Sequence, residues 1–252
     1  MAYKYATTRR DYAYLAGGSV FHSAPGFPVR LASETFQRAL ALRGAGEPVV
    51  LWDPCCGSGY LLSVLGVLHR TDLAALVASD FDPEAVRIAS RNLALLGQEP
   101  LKARAAEQLE RAERFGKTSY AEAAEAAERI ARELKARGGD LPHSVSRADV
   151  FDPDRLAAVV AERTPDIVIT DVPYGEQTDW SGPHAGEGVE GMARSLASVL
   201  PDEAVLAVAV RGRAVPQGGV RPSSSFRIGS RAVALLRAGE VLRPGRTGPR
   251  RV

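Results

Sequence analysis

The chain has 252 residues, 45% of them hydrophobic and 25% charged, which is enough for one substantial α/β domain with an insertion. No apolar run approaches the roughly 18 residues that a membrane helix needs, and the polar N-terminus has no apolar signal-peptide core, so we expect a cytoplasmic protein. Cys55 and Cys56 are adjacent, which makes an internal disulfide implausible, and no ligand spacing predicts a metal site.

Charge is distributed unevenly along the chain. From Arg211 to Val252 there are ten arginines and one acid, Glu240, so this end carries +9 while the first 210 residues carry −7. A basic end on an otherwise acidic chain favours a polyanionic partner. The last residues, 243–252, are expected to form a disordered basic tail.

Residues 1–30 are interpreted as an arm that precedes the main domain. Cations alternate there with four tyrosines, which are Tyr3, Tyr5, Tyr12 and Tyr14. Aromatic and basic side chains bind single-stranded nucleic acid by stacking and charge, but aromatic arms also pack on the domain behind them, and both interpretations stay open. The residues that follow predict an amphipathic helix over 33–40, with Leu31, Thr35, Phe36, Ala39 and Leu40 facing inward.

A strand, a glycine turn and a helix form the centre of the pattern. A buried strand over 49–52 runs into Asp53, then into Cys55, Gly57 and Gly59, and an apolar helix follows over 61–68. At such a turn a ligand can lie against the backbone, and the helix start offers unpaired N–H groups. The third glycine of the dinucleotide fingerprint is absent, because Leu62 stands in its place.

An acid before G-x-G suits the amino group of an amino-acid ligand better than a pyrophosphate. The turn therefore resembles the first motif of the class I S-adenosylmethionine (SAM)-dependent methyltransferases. That resemblance implies that Asp53, Cys55, Gly57 and Gly59 bind SAM. Another nucleotide-binding α/β protein is the alternative.

Further strands alternate with helices along the rest of the chain. We predict strands over 75–79, 144–150, 166–170 and 204–210, and a terminal pair over 226–228 and 232–236. The alternation predicts a doubly wound, mostly parallel, Rossmann-like sheet of seven strands in a single domain. Residues 98–142 interrupt it as an inserted helical arm, with one or two exposed helices around a break at 115–119.

Acids end four of the predicted strands: Asp53, Asp80, Asp149 and Asp171. The carboxyl ends of parallel strands meet at one edge of a sheet, so these acids should converge on one crevice. Asp80 has the spacing of an acid that binds ribose hydroxyls. Asp149 suits the exocyclic amine of adenine, with Phe151 flanking the ring.

The run Asp171-Val172-Pro173-Tyr174 resembles the N/D-P-P-Y/F motif of methyltransferases that act on planar nitrogens, although Val172 replaces a proline. That resemblance implies a catalytic role for Asp171, Pro173 and Tyr174. Asp171 would accept a hydrogen bond from a guanine N–H, and Tyr174 would stack on the base.

Two further residues follow in the polar loop after this motif. Trp180 would stack on a flipped base or pack the loop down. His184 is a weaker candidate for a base, since a lone histidine in a loop is more often simply exposed.

A narrower resemblance covers most of the chain. The runs Trp52 to Leu62, Pro28 to Ala32 and Asp171 to Glu176, together with the helical insertion, resemble the AviRa-type avilamycin-resistance 23S rRNA guanine methyltransferases. The resemblance implies methylation at N1 of one guanine in 23S rRNA or the large ribosomal subunit, conferring orthosomycin resistance. Arg30 precedes the first core helix and is a candidate ligand for the methionine carboxylate of SAM. We expect a monomer.

Four alternatives remain open at this stage. Within the same chemistry they are guanine-N2 and adenine-N6 methylation of nucleic acid. Outside it they are a noncatalytic RNA-binding protein on a methyltransferase fold, which predicts salt-sensitive binding without turnover, and a small-molecule methyltransferase, for which RNA would not compete.

Overall fold

The structure is a computed structural model that describes residues 3–5, 15, 20–23, 26–172, 185–216 and 218–243. Predictions for Pro173, Tyr174, Trp180 and His184 lie outside these ranges, as do those for nearly all of the basic tail. The described helices are α1 Val29–Arg43, α2 Tyr60–Leu68, α3 Pro83–Ala94, α4 Gln98–Phe115, α5 Thr118–Ala136, α6 Pro153–Val160, α7 Gly188–Ser198 and α8 Ala238–Leu242. The described strands are β1 Val49–Asp53, β2 Leu73–Asp80, β3 His143–Arg147, β4 Ile167–Asp171, β5 Val205–Arg211, β6 Ser224–Ile228 and β7 Arg231–Arg237.

These strands form one sheet in the order β3-β2-β1-β4-β5-β7-β6. The strands β1 to β5 are parallel, and β7 runs antiparallel to both of its neighbours. The buried strand residues alternate between the two faces, so Leu51 packs with one core and Trp52 with the other. Core residues of α1 to α5 lie with the first cluster and those of α6 to α8 with the second. The prediction of a doubly wound, mostly parallel seven-stranded sheet is confirmed.

Two helices that connect strands, α3 and α6, each begin with an aspartate followed by a proline. The Asp82 carboxylate accepts from the Glu84 amide at 2.9 Å, ahead of Pro83 at the start of α3. Asp152 accepts in the same way from two amides at the start of α6. A side-chain oxygen in this position satisfies N–H groups that have no partner within the helix.

The third predicted strand was too long. β3 ends at Arg147, paired with Asp80 at the end of β2, so Asp149 lies two residues beyond the strand and not at its last position. β3 is the edge strand and has β2 as its only neighbour in the sheet, so regular pairing stops where β2 stops. The Asp149 side chain accepts from the amide of Phe151 at 3.0 Å, which holds a tight turn there.

The helical insertion is less exposed than predicted. It forms two helices, α4 and α5, and the break between them falls at Gly116 and Lys117, as expected. However, Leu101, Ile130 and Leu134 are fully buried in the first core. The buried face of α5 consists largely of alanines, which are only weakly hydrophobic, so the sequence gives little indication that this face is buried.

The described parts of the N-terminal arm pack on the domain. The amides of Lys4 and Tyr5 each donate to the buried Glu34 carboxylate at 2.7 Å. Tyr60 donates from its hydroxyl to the Leu15 carbonyl at 3.0 Å. These contacts favour the packing interpretation for these parts of the arm.

No helix among the residues that the structure describes is both long enough and apolar enough to cross a membrane.

Candidate active site

The glycine turn between β1 and α2 has the backbone shape that its sequence predicts. Gly57 and Gly59 have φ of +51° and +71°, a region that residues with a Cβ rarely occupy. A Cβ on Gly59 would lie 3.1 Å from Ala89 of α3, so this glycine also lets α2 approach α3. A Cβ on Gly57 would meet nothing within 4 Å. The turn therefore presents open backbone at Gly57, where a ligand can approach.

Asp53 ends β1 directly below this turn and is only 2% exposed. The Cys55 amide donates to its Oδ1 at 3.2 Å. Burial, with smaller contributions from the negative charges of Asp80 and Asp171, raises the pKa of Asp53 to about 8. A buried carboxyl of this kind favours ionisation only when a cation binds beside it, which suits it to a ligand that carries an ammonium group.

Asp80 ends β2 and holds the glycine turn from the side. Its Oδ2 accepts from the Gly57 amide at 2.8 Å, and its Oδ1 accepts from the Asp82 amide at 3.0 Å. Because each carboxylate oxygen has two lone pairs, the side chain keeps acceptor capacity for hydroxyl donors.

The predicted convergence of the acids is visible in their electrostatic effects. Burial raises the pKa of the Cys55 thiol, and the charges of Asp53, Asp80 and Asp149 raise it further. Phe151 is 6% exposed and lies in the second core cluster. Asp53, Asp80 and Asp149 thus lie near enough to Cys55 to act on it, and Asp171 acts on Asp53 from the neighbouring strand β4.

Phe81 is a candidate that the sequence reasoning missed. Its side chain is 40% exposed, directly after Asp80. The Arg147 guanidinium lies 5.4 Å from the centre of its ring, and Arg147 Nε donates to the Phe81 carbonyl at 3.0 Å. The signal in the sequence is an aromatic residue between the acid that ends a strand and the acid that caps the next helix. In the structure, its ring offers a flat apolar surface beside Asp80.

Asp171, at the end of β4, forms an ion pair that the sequence did not reveal. Arg231 Nε donates to Oδ1 at 3.2 Å, and Arg231 Nη2 donates to Oδ2 at 2.9 Å. Arg231 is the first residue of β7 and is 7% exposed, whereas the Asp171 side chain is 25% exposed. The carboxylate is therefore held from the protein side and remains partly accessible.

Arg30, the predicted ligand for a carboxylate, lies in the first turn of α1. Its guanidinium is 3.8 Å from the centre of the Tyr3 ring. Stacking on the N-terminal arm orients this cation, while its role toward a ligand stays a prediction.

The comparisons with known proteins agree with this geometry. A sequence model of the family described as rRNA methyltransferase AviRa matches residues 1–231. The chain belongs to the AviRa rRNA methyltransferase family.

A relative in the AviRa family, the 23S rRNA (guanine(2535)-N(1))-methyltransferase of Streptomyces viridochromogenes, is 53% identical over 247 residues, covering 97% of this chain and 99% of the relative. Two solved structures of rRNA methyltransferase AviRa from Streptomyces viridochromogenes each superpose with a TM-score of 0.90, at 53% identity over 97% of this chain and 100% of theirs. The predicted family, the fold and the assignment as an rRNA methyltransferase are confirmed.

Within the described ranges, no group of three or more His, Cys, Asp or Glu side chains is arranged to hold a metal ion.

Proposed function

We propose that this AviRa-family enzyme transfers a methyl group from SAM to N1 of one guanine in 23S rRNA, and that the modification confers orthosomycin resistance. The observation that carries the proposal is the placement of two acids with different surroundings on neighbouring strands. Asp53 is buried below an open glycine turn, while Asp171 is accessible and paired with a cation. The near-full-length likeness to a relative named for guanine-N1 methylation supports the choice of base.

The residues around the glycine turn fit SAM part by part. Asp53 would bind the ammonium of the methionine moiety, and the open backbone at Gly57 would lie against it. Asp80 would accept from the ribose hydroxyls, and Asp149 from the adenine amine. Cys55, Gly59, Phe151 and Arg30 complete the cofactor site predicted from the sequence. When bound, SAM supplies an electrophilic methyl group on a positively charged sulfonium.

Phe81 extends this cofactor site beyond the residues found in the sequence. It is exposed next to Asp80, so its ring would cover one face of the adenine. Aromatic stacking on a base contributes about 1–3 kcal/mol.

At the other end of the crevice, Asp171 orients the base and would accept the proton that guanine N1 loses when it takes the methyl group. An ionised carboxylate only accepts hydrogen bonds, so it selects an edge that presents N–H donors, as guanine N1 and N2 do. Adenine N6 chemistry tolerates a residue that both donates and accepts, which makes an aspartate here less suited to adenine. We propose that Pro173 shapes the pocket for the target base and that Tyr174 and Trp180 stack on that base.

A group of exposed arginines, the site rim, favours RNA as the substrate. The site rim consists of Arg211, Arg213 and Arg227, all at the carboxyl edge of the sheet. Asp171 pairs in register with Ala209, so Arg211 lies two residues further along the neighbouring strand, about 7 Å away along its axis.

Arginines at the opposite edge of the sheet form ion pairs or hydrogen bonds with other parts of the protein. Arg243 forms an ion pair with Asp202, and Arg237 donates to the carbonyls of Leu42 and Glu203. None of the three rim arginines forms an ion pair within the part of the chain that the structure describes. Cations at the carboxyl edge of the sheet that have no ion-pair partner among the described residues are placed to bind phosphates near the base.

Replacing the three rim arginines by glutamine tests their role. We expect the KM for rRNA to rise about tenfold near physiological salt, and the slope of log affinity against log salt to fall by about 2, since roughly one counterion is released per phosphate contact. Affinity for SAM and kcat should stay within about twofold.

Arg221→Gln is the matched control for the rim. Arg221 is exposed but precedes β6 at the opposite edge, where Ser223, two residues further on, donates to Glu240. It should leave the salt slope unchanged. An unchanged slope in the rim variant as well would remove these arginines from the RNA-binding surface.

The proposed reaction is tested with the purified chain, methyl-labelled SAM and large-subunit rRNA that lacks the modification. Nucleoside mass spectrometry should find label in 1-methylguanosine from 23S rRNA. Label in N2-methylguanosine or N6-methyladenosine would overturn the acceptor atom but keep the enzyme class. If neither naked rRNA nor intact large subunits acquire label while SAM binds, the noncatalytic or small-molecule alternative replaces the proposal.

A further inference from the structure

The ion pair between Asp171 and Arg231 has a geometry that a surface salt bridge rarely keeps. Two nitrogens of one guanidinium reach the two oxygens of the carboxylate, at 3.2 Å and 2.9 Å. Because both groups are planar, two parallel hydrogen bonds set the plane of the carboxylate as well as its distance. A single-point contact, such as a lysine makes, would leave the carboxylate free to rotate.

Arg231 is itself held on several sides. Its Nη2 also donates to the Gly26 carbonyl at 3.2 Å, and its guanidinium lies 4.9 Å from the centre of the Phe27 ring. Its backbone pairs with Arg211 of β5 and Ile228 of β6 inside the sheet. The guanidinium is therefore a fixed reference point, and the orientation of Asp171 follows from it.

The two crevice acids differ in a way that separates their tasks. Asp53 has no cationic side chain bonded to it among the described residues, and burial keeps its pKa near 8 until a cationic ligand arrives. Asp171 already has a counter-charge in Arg231. Because its charge is paired with Arg231, Asp171 competes less for the ammonium of a ligand and repels rRNA phosphates less, so it is available for the base.

We propose, resting on the function proposed above, that Arg231 is a positioning residue for base methylation. It holds the Asp171 carboxylate in one orientation, with the lone pairs that the guanidinium leaves unused directed toward the target base. Arg231 touches neither base nor cofactor in this proposal. Its effect on the reaction passes entirely through Asp171.

Two substitutions of Arg231 test the proposal, each measured for kcat, KM for rRNA, SAM affinity and thermal unfolding. Arg231→Lys keeps the charge but not the two-point contact, and we expect kcat to fall about tenfold with KM and SAM affinity within about twofold. Arg231→Ala should lose about 10²-fold in kcat. Guanidinium chloride at about 20 mM, far below denaturing concentrations, should restore part of that activity in a saturable way.

A control and a double variant separate positioning from stability. Arg237→Ala removes a guanidinium from the far end of the same strand, where it bonds backbone carbonyls. It should lower the unfolding temperature without changing kcat, and guanidinium should not stimulate it. In an Asp171→Asn background, Arg231→Lys should cause no further loss of kcat, because the two residues act as one unit.

The outcomes separate the two proposals. Wild-type kcat in folded Arg231→Lys, or losses that add fully to those of Asp171→Asn and do not respond to guanidinium, would overturn the positioning role. If Arg231→Ala does not fold, Arg231→Lys and the double variant decide. A wild-type chain that labels no RNA would instead reject the proposed function itself.

Discussion

Replacing Asp171 by asparagine is expected to lower kcat about 10²-fold while SAM affinity stays within a few-fold. The change removes the charge from the hydrogen bond to the base, and bonds to charged groups contribute about 1.5–3 kcal/mol. It also places an amide N–H where the carboxylate offers lone pairs, so that one donor faces either Arg231 or the guanine N–H. Single-turnover methyl transfer and SAM titration measure the two quantities separately.

The ion pair determines how this experiment has to be designed. Asp171→Ala would leave the guanidinium of Arg231, 7% exposed, without its carboxylate. Breaking a fully buried pair on one side costs about 3–5 kcal/mol. This part-buried pair would lose less, but unfolding would still contribute to the loss of activity in that variant. The double variant Asp171→Ala with Arg231→Met removes both charges and should recover thermal stability but not activity. Wild-type kcat in Asp171→Asn would remove Asp171 from the mechanism.

The sequence predicted the crevice because its main features are local. Three buried strands, β1, β2 and β4, are short apolar runs that each end in an acid, and parallel strands bring those ends to one edge of the sheet. The glycine turn was equally readable, since Gly57 and Gly59 both adopt the positive φ that only glycine occupies easily. The sequence alone therefore predicts that Asp53 and Asp80 lie at the turn.

Arg231 could not be found in the same way. It pairs with Asp171 only because β7 inserts between β5 and β6 in the opposite direction, which brings its first residue to the carboxyl edge of the sheet. The two residues are 60 positions apart, and nothing local marks either as the partner of the other. The sequence predicts a terminal pair of strands, but the place where that pair joins the sheet depends on packing over the whole domain.

Two errors in the prediction have related physical causes. β3 ended early because its length is set by its single neighbour β2, and no property of residues 148–150 signals that limit. The insertion was expected to be exposed because its charges balance and its apolar residues are mostly alanines. Burial of Ala123, Ala124 and Ala127 shows that close helix packing needs small side chains as much as large ones.

SAM binding is expected to depend strongly on pH, because the cofactor's ammonium would lie beside the buried carboxyl of Asp53. Burial raises the pKa of Asp53 to about 8 in the ligand-free protein, so at neutral pH its carboxyl is mostly protonated. An ammonium beside it favours the ionised form. SAM binding near pH 7 should therefore release about one proton, and SAM affinity should rise as pH increases from about 6 toward 7.5. Calorimetry in two buffers of different ionisation enthalpy measures the proton directly.

Substitutions of Asp53 and Asp149 show which carboxyl group releases the proton when SAM binds. Asp53→Asn should weaken SAM binding about 10²-fold and abolish the proton release, because an amide cannot ionise and offers the ammonium only a neutral acceptor. Asp149→Asn is the matched control, since its charge is not among the influences that raise the pKa of Asp53. It should weaken binding but keep the release of about one proton. Proton release that persists in Asp53→Asn would mean that another group titrates on binding and that the buried carboxyl of β1 does not receive the ammonium.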